Sequence, residues 1–494
     1  MEKKEKAISY SHILKYMSVF GGVQCLSILI SVVRNKLVAV LLGPNGVGLI
    51  SLFNSTIKLI SDSTNLGLSM SAVKTISEHF DSGNSEKVTY LVRLIRVWCL
   101  FTGLLGMFVC LVLSPLLDSW TFEWGDHTLH FVLLSPVIAM MAVTGGELAI
   151  LKATRKLKQV AWISFLGVIG TMVLTVPIYY FCGEAGIVPS LVVVALLQMM
   201  LPVIYSYRYF PLDLSMSKGL YDDGLGMVKL GVAFVFAGIM GSGVDFAIRS
   251  YLNTNGSLGI VGLYNAGYMM TMVYAGMVFS AMETDYFPRL SAINSIGEEL
   301  NETVNRQIEV SLILVSPLLA FFMIGLPVII PLLYTSEFLP LTGMVQIAIL
   351  SMFIRAVALP IAYIPLSKGD SASYLLMEAG YDVVLLGAVI WLYDAFGLTG
   401  AGAAITFAAL FDMGMLMIYM HYKYDYVMSR QVVKYIVLFF SMGITAFLIT
   451  FLENRNVYWI IGFVFVLISS GISLNILRRK TGLWNKLKSK LIAR

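Results

Sequence analysis

Charge is distributed along this chain in short clusters separated by apolar runs of about twenty residues or more, and that spacing constrains the fold more than any other feature. A helix rises about 1.5 Å per residue, so such a run matches the ~30 Å hydrocarbon thickness of a bilayer. Only 13% of the 494 residues are charged and 58% are hydrophobic, whereas a soluble domain is about 25% charged, which excludes a single water-soluble core. The runs predict spans at approximately 11–41, 46–76, 88–117, 128–152, 159–182, 186–207, 226–252, 258–285, 308–334, 340–366, 372–393, 400–422, 432–452 and 456–477. The expected fold is an all-α polytopic membrane protein with about fourteen transmembrane helices.

Basic residues set the orientation. With the N-terminus in the cytoplasm, all but six of the 34 Lys and Arg residues fall in inner segments, from the Lys3, Lys4, Lys6 group to the tail that begins at Arg478. The outer loops then hold Arg455 beside the acids Asp118, Glu123, Asp126, Glu184, Glu337, Asp394 and Glu453. That asymmetry follows the positive-inside rule and places both termini in the cytoplasm. The net charge of +5 reads as an inner face against anionic headgroups, not as a nucleic-acid surface. The Arg478–Lys490 run, with Leu483, Trp484 and Leu487 interleaved, predicts an interfacial tail. The N-terminus shows no small-residue cleavage site, so the first span is expected to persist.

Cys25, Cys99, Cys110 and Cys182 lie in or beside apolar runs without CxxC spacing, and the five histidines are scattered. Neither a disulfide framework nor a metal site is expected. No Walker lysine follows a glycine loop, so the chain does not read as an enzyme and no cofactor is expected beyond a coupling ion, H+ or Na+.

An internal repeat organises the spans. Tyr179 to Gly183 and Gly186 recur as Tyr393 to Gly397 and Gly400, an offset of 397 − 183 = 214. Arg34 with Gly43, Gly46 and Gly48 is echoed by Arg249 with Gly256, Gly259 and Gly262, and Leu151-Lys152 by Leu366 and Lys368, at nearly the same offset. Residues 1–212 (spans one to six) and 213–428 (spans seven to twelve) therefore read as two copies of a six-helix bundle in the same orientation. Residues 429–478 add two helices and 479–494 a basic tail. Parallel repeats of this kind suit alternating access around a cleft.

Charges within spans mark that cleft. Arg34 and Lys36 in span one, Lys58 in span two, Arg249 in span seven and Arg355 in span ten each cost a few kcal/mol at helix centre unless they face protein or water. Lys58 and Arg355 fall near mid-bilayer by helical rise, and Arg249 near the outer mouth, where it can snorkel. Asp62, Asp245 and Asp412 are the counterpart acids, either as coupling-ion sites or as ion pairs. Lys58 with Asp62, and Asp245 with Arg249, have the i,i+4 spacing that permits pairing. Spans one and two hold three cations against Asp62 alone, a surplus suited to phosphate or pyrophosphate. Span two also carries Asn54, Ser55, Thr56, Ser61, Ser63, Thr64 and Asn65, which read either as interhelical hydrogen-bonding groups or as the wall of a water-filled cavity.

The segment Arg34-Asn-Lys36 through Gly43-Pro44-Asn-Gly46-Val-Gly48, followed by Leu66-Gly67-Leu-Ser-Met-Ser-Ala-Val-Lys74, resembles the start of the Wzx-type O-antigen translocases. These belong to the superfamily of multidrug, oligosaccharidyl-lipid and polysaccharide (MOP) exporters. The resemblance implies a flippase that carries undecaprenyl-pyrophosphate-linked oligosaccharide across the bacterial cytoplasmic membrane. It implies pyrophosphate contacts at Lys36 by motif and at Arg34, Lys58 and Arg249 by position; Arg355 rests on its depth alone. The implied partners are the lipid-linked oligosaccharide, membrane lipids and other polysaccharide-assembly proteins, with a monomeric transporter. Two alternatives stay open. A cation-coupled drug exporter would favour a carboxylate-rich first lobe, and a glycan polymerase or ligase would carry a large outer loop.

Overall fold

In the computed structural model the backbone is described for residues 2–122, 125–213, 219–276, 279, 286–293 and 295–481, and side chains from residue 26 onward within these, except 220, 229–234, 237 and 481. The Cys25 side chain and the tail beyond 481 lie outside the described residues. The helices in chain order are α1 (Glu2–Thr64), α2 (Leu68–Asp81), α3 (Ser85–Thr121), α4 (Thr128–Ala153), α5 (Leu157–Cys182), α6 (Ile187–Tyr207) and α7 (Leu220–Thr254). There follow α8 (Leu258–Tyr268), α9 (Glu298–Leu333), α10 (Thr342–Ser367), α11 (Ser371–Tyr424), α12 (Arg430–Ile449) and α13 (Arg455–Thr481). Among the described residues there is no strand.

Two helices are bent pairs of spans. α1 bends at Gly43 (φ 62°, ψ −170°) and restarts with Pro44, whose fixed φ and missing N–H suit the first turn of a new limb. α11 bends at Gly397. With each limb counted separately and the short α2 set aside, the helices among the described residues are consistent in order with the fourteen hydropathic runs, and nine of the described helices are long and apolar enough to cross a membrane. α3 has 37 residues, about 55 Å of helix, so it overshoots the hydrocarbon.

One boundary differs from the hydropathic reading. The run 46–76 is not one helix: it stops at Thr64, and Leu66 (φ 52°) and Gly67 (φ 66°) turn the chain before α2. The Asn65 side chain accepts from the Gly67 N–H at 2.8 Å, a local turn that competes with the helix. Hydropathy is blind to this because α2 is itself amphipathic. Leu68, Ala72 and Ile76 form an i, i+4, i+8 stripe buried against Leu91, Leu94, Ile95 and Trp98 of α3 and Ile150 of α4.

The chain divides into two compact units, Met1–Gly262 with Leu333–Thr335, and Leu263–Leu332 with Ser336–Arg494. In the first, α3 packs on α4, α4 on α6, and α7 on α1, α2 and α3. In the second, α10 packs along α11 and α12. The compact units are thus not coextensive with the sequence repeats, because α7, which opens the second repeat, packs in the first unit.

The repeat is written into the backbone. α4 begins at 128 and α10 at 342, and α5 at 157 and α11 at 371, each pair 214 apart. Gly183 (φ 56°, ψ −136°) and Gly397 (φ 59°, ψ −143°) adopt one conformation that side-chain-bearing residues rarely take. Buried Tyr179 and Tyr393 precede them by four residues. A clasp recurs as well. Gln159 Nε2 donates to the Tyr209 hydroxyl at 2.7 Å and the Lys156 ammonium lies 4.2 Å from that ring. At the positions 214 residues on, Asp370 Oδ2 accepts from Lys423 Nζ at 2.6 Å and from Ser373 Oγ at 2.6 Å. Position is conserved between copies while the chemistry has changed from cation–π to ion pair.

Candidate functional site

The second limb of α1 sorts its polar residues by face. Ser55, Thr56 and Thr64 are buried, and their hydroxyls donate to carbonyls one turn back, Ser55 and Thr56 to Leu52 at 2.9 Å and Thr64 to Ile60 at 2.8 Å. These are packing residues, and Thr64 sits so close to Gly106 of α3 that a Cβ there would lie 2.5 Å from its hydroxyl oxygen. Asn54 and Lys58 form the exposed stripe at i, i+4, continued by half-buried Asp62. The Leu26–Thr64 stretch is apolar enough to cross a membrane, so an exposed ammonium here faces water or a polar ligand at lower cost than lipid. Asp62 lies against Ser242 of α7 and within the field of Lys58.

On the first limb, Arg34 is half-buried and donates to Asn35 Oδ1 at 2.9 Å. Half-buried Lys36 donates to the Tyr334 carbonyl. Arg249 on α7 is buried; its Nε donates to Ser51 Oγ at 2.6 Å, and Nη1 to the Asp245 carbonyl at 3.0 Å and to the Asp245 carboxylate. Of the two i,i+4 pairs expected from sequence, Asp245–Arg249 is closed. The closed pair joins α7 to α1 through Ser51.

The second unit holds the fifth cation. On α10, residues 351–354 and 356–358 are buried or half-buried while Arg355 is exposed. Across from it the first limb of α11 carries Tyr374, Glu378 and Tyr381, and the second limb Asp412. Tyr374 lies in the fields of Glu378 and Arg355, and Asp412 in those of the same two residues. The sequence reading passed over Tyr374 and Tyr381, although their i, i+4, i+7 spacing with Glu378 marks one helix face.

A second polar centre also escaped notice. Arg96 and Glu147 are both buried and form a two-pronged ion pair, Nε to Oε1 at 2.8 Å and Nη2 to Oε2 at 3.3 Å. Arg96 Nη1 donates to the Pro211 carbonyl at 2.9 Å, and the guanidinium lies 4.3 Å from the Tyr207 ring. This centre ties α3 and α4 to the segment that follows α6. Charge alone could not separate buried Arg96 from half-buried neighbours such as Lys87, since both count equally toward the basic cluster. Among the described residues, no group of three His, Cys, Asp or Glu side chains is placed to hold a metal ion. Cys99 and Cys110 are buried and Cys182 is exposed, all as free thiols.

Solved structures of low identity share this fold of long paired helices, two of them bent at a glycine, with its 214-residue repeat. A multidrug resistance MATE family transporter of the MOP superfamily in its inward-facing conformation matches with TM-score 0.64 at 14% identity, over 81% of this chain and 94% of that one. The lipid II flippase MurJ in its inward closed conformation matches with TM-score 0.67 at 13% identity, over 93% of this chain and 99% of that one. The fold is therefore that of the MOP-type translocases. A comparison with curated protein sequences finds no match. The profile of the family described as "Polysaccharide biosynthesis protein" matches residues 37–342, and the chain belongs to that family.

Proposed function

We propose that the protein is a flippase that moves undecaprenyl-pyrophosphate-linked oligosaccharide, an O-antigen or similar surface-polysaccharide repeat unit, from the cytoplasmic to the outer leaflet of the bacterial cytoplasmic membrane by alternating access. The observation that carries this reading is Lys58, an exposed ammonium in an apolar span of a polysaccharide biosynthesis protein with a MOP-type fold. Membership of the family points to a glycan cargo, and the surplus of cations over Asp62 on α1 points to its pyrophosphate. A fold neighbour that is itself named a lipid II flippase supports a lipid-linked substrate.

In this reading Arg34, Lys36, Lys58 and Arg355 contact the head group while the polyprenyl chain stays in lipid. Arg249 contacts it only when its pair with Asp245 opens. Asp62 and Asp412 are the candidates for coupling to H+ or Na+, Asp245 being occupied by Arg249. The six-helix lobes run 1–212 and 213–428, with both termini cytoplasmic, as the distribution of Lys and Arg favours.

The test is replacement of Arg34, Lys36, Lys58 and Arg355 one at a time by Ala in cells whose surface polysaccharide depends on this protein. Loss of surface glycan in the Lys36 and Lys58 variants at normal protein level is expected. Normal glycan in all four overturns the cationic mechanism. The second reading, a cation-coupled drug exporter, is favoured by the likeness to the MATE transporter; it requires drug-resistance phenotypes that follow Asp62 or Asp412 and not Lys58.

A further inference from the structure

Arg355 differs in kind from the cations of α1. It is exposed on a helix whose adjacent residues Ser351–Ile354 and Ala356–Ala358 are buried or half-buried, so it borders an open space within an apolar span. That space is faced by Tyr374, Glu378 and Tyr381, one stripe of α11. Tyr374 lies near Glu378 and Arg355, Tyr381 lies in the fields of Arg355 and Tyr268, and Asp412 lies near both Glu378 and Arg355. Tyr268 is also where α8 widens into the π-helix Met269–Ala275, a distortion concentrated at functional sites. All of these groups belong to the second compact unit.

The chemistry separates this face from a phosphate site. A pyrophosphate is best held by guanidinium or ammonium groups whose charge is not already met. Here the exposed Glu378 carboxylate and the carboxyl of Asp412 share the space with one guanidinium, so an entering dianion finds no unopposed cation. A sugar ring meets complementary groups instead. Its hydroxyls donate to Glu378 and accept from Arg355 and from tyrosine O–H groups, while its C–H face lies on a tyrosine ring.

We propose that Arg355, Tyr374, Glu378 and Tyr381 form a glycan-reading subsite that takes neutral or amino sugars of the cargo and disfavours acidic ones. The inference rests on the flippase reading, and it assigns the sugar part of the head group to α10 and α11 of the second unit. Specificity for the repeat unit then lies in the second unit.

The test is equilibrium binding by the full-length protein in nanodiscs of two probes, undecaprenyl pyrophosphate and the same lipid bearing a neutral N-acetylhexosamine disaccharide. Tyr381→Phe and Glu378→Gln are expected to weaken the glycosylated probe by about tenfold each, the loss for a hydrogen bond left unmade, with the bare lipid within about twofold. Lys58→Ala is expected to weaken both probes. Equal losses for both probes in Tyr381→Phe and Glu378→Gln overturn the subsite while leaving the flippase reading intact. Failure of the unsubstituted protein to bind either probe overturns the flippase reading and the subsite with it. A third probe bearing a uronic acid is expected to bind more weakly than the neutral one, with the difference narrowed by Glu378→Gln; an undiminished difference contradicts the proposed charge selection.

Discussion

Gly48 and Gly262 touch through their backbones, and each is the other's counterpart in the 214-residue repeat. A Cβ on Gly48 would stand 2.0 Å from the Leu258 carbonyl oxygen, and one on Gly262 would stand 1.9 Å from the Pro44 carbonyl oxygen. Leu258 and Pro44 are themselves 214 apart, so the contact is reciprocal: each copy places its glycine on the other copy's carbonyl. Small residues permit such close helix approach in membranes, where van der Waals packing and weak C–H···O contacts replace the hydrophobic drive.

This pairing predicts matched defects. Gly48→Ala and Gly262→Ala force backbone separation at one point from opposite sides, so each is expected to destabilise by at least the ~1–3 kcal/mol typical of overpacking. Thermal unfolding of the purified protein, followed by tryptophan fluorescence, checks this; a change in one variant and none in the other contradicts the reciprocal contact.

Arg249 and Lys58 should separate stability from transport. Arg249→Ala leaves the half-buried Asp245 carboxylate and Ser51 without their partner, and a loss of about 1.5–3 kcal/mol is expected, the range for hydrogen bonds to a charged group. Lys58→Ala removes an exposed side chain and is expected to change stability by less than about 0.5 kcal/mol while abolishing transport. Unfolding curves for both variants, beside surface-glycan staining, distinguish the two roles.

At the Arg96–Glu147 centre, Glu147→Ala is expected to cost about 3–5 kcal/mol because a buried guanidinium loses its counter-ion. Replacing both residues together, Arg96→Met with Glu147→Leu, should recover much of that loss. A double variant no better than the single one would show that the bonds Arg96 donates to the Pro211 carbonyl and, at 3.3 Å, to Ser206 Oγ matter more than the pair.

Asp370 supplies a pH signature. The Lys423 ammonium, with the hydroxyls of Ser373 and Tyr424, holds its carboxyl well below the usual carboxylate range. A group whose pKa is depressed by folding stabilises above its unfolded value, about 3.9 for Asp, and loses that contribution as pH falls through the folded value. The melting-temperature difference between the unsubstituted protein and Asp370→Asn should therefore be steady near neutral pH and shrink below about pH 4. A difference that grows on acidification contradicts the ion pair.

Much of this was legible because membrane insertion imposes length and charge rules on every span. Hydropathy locates the helices, and the recurrence of Tyr179 to Gly183 at Tyr393 to Gly397 marks the same repeat as the matched φ and ψ of the two glycines. What stayed hidden depends on which way a side chain turns. Ser55, Thr56 and Thr64 read as polarly as Asn54 and Lys58, yet the first three bond to their own helix and only the last two are exposed. The break at Leu66–Gly67 hid inside an apolar run because α2 needs the same residue types to pack on α3. Arg96 was indistinguishable from its exposed neighbours because burial in a counter-ion's company leaves no mark on composition.

The most direct measurement is flipping in proteoliposomes that contain the purified full-length protein and undecaprenyl-pyrophosphate-linked oligosaccharide, scored by how fast inner-leaflet glycan becomes reactive to an impermeant reagent outside. The flippase reading predicts exposure much faster than in protein-free vesicles and a loss of that acceleration in Lys58→Ala. Exposure no faster than in protein-free vesicles, from a preparation that unfolds cooperatively, would contradict it.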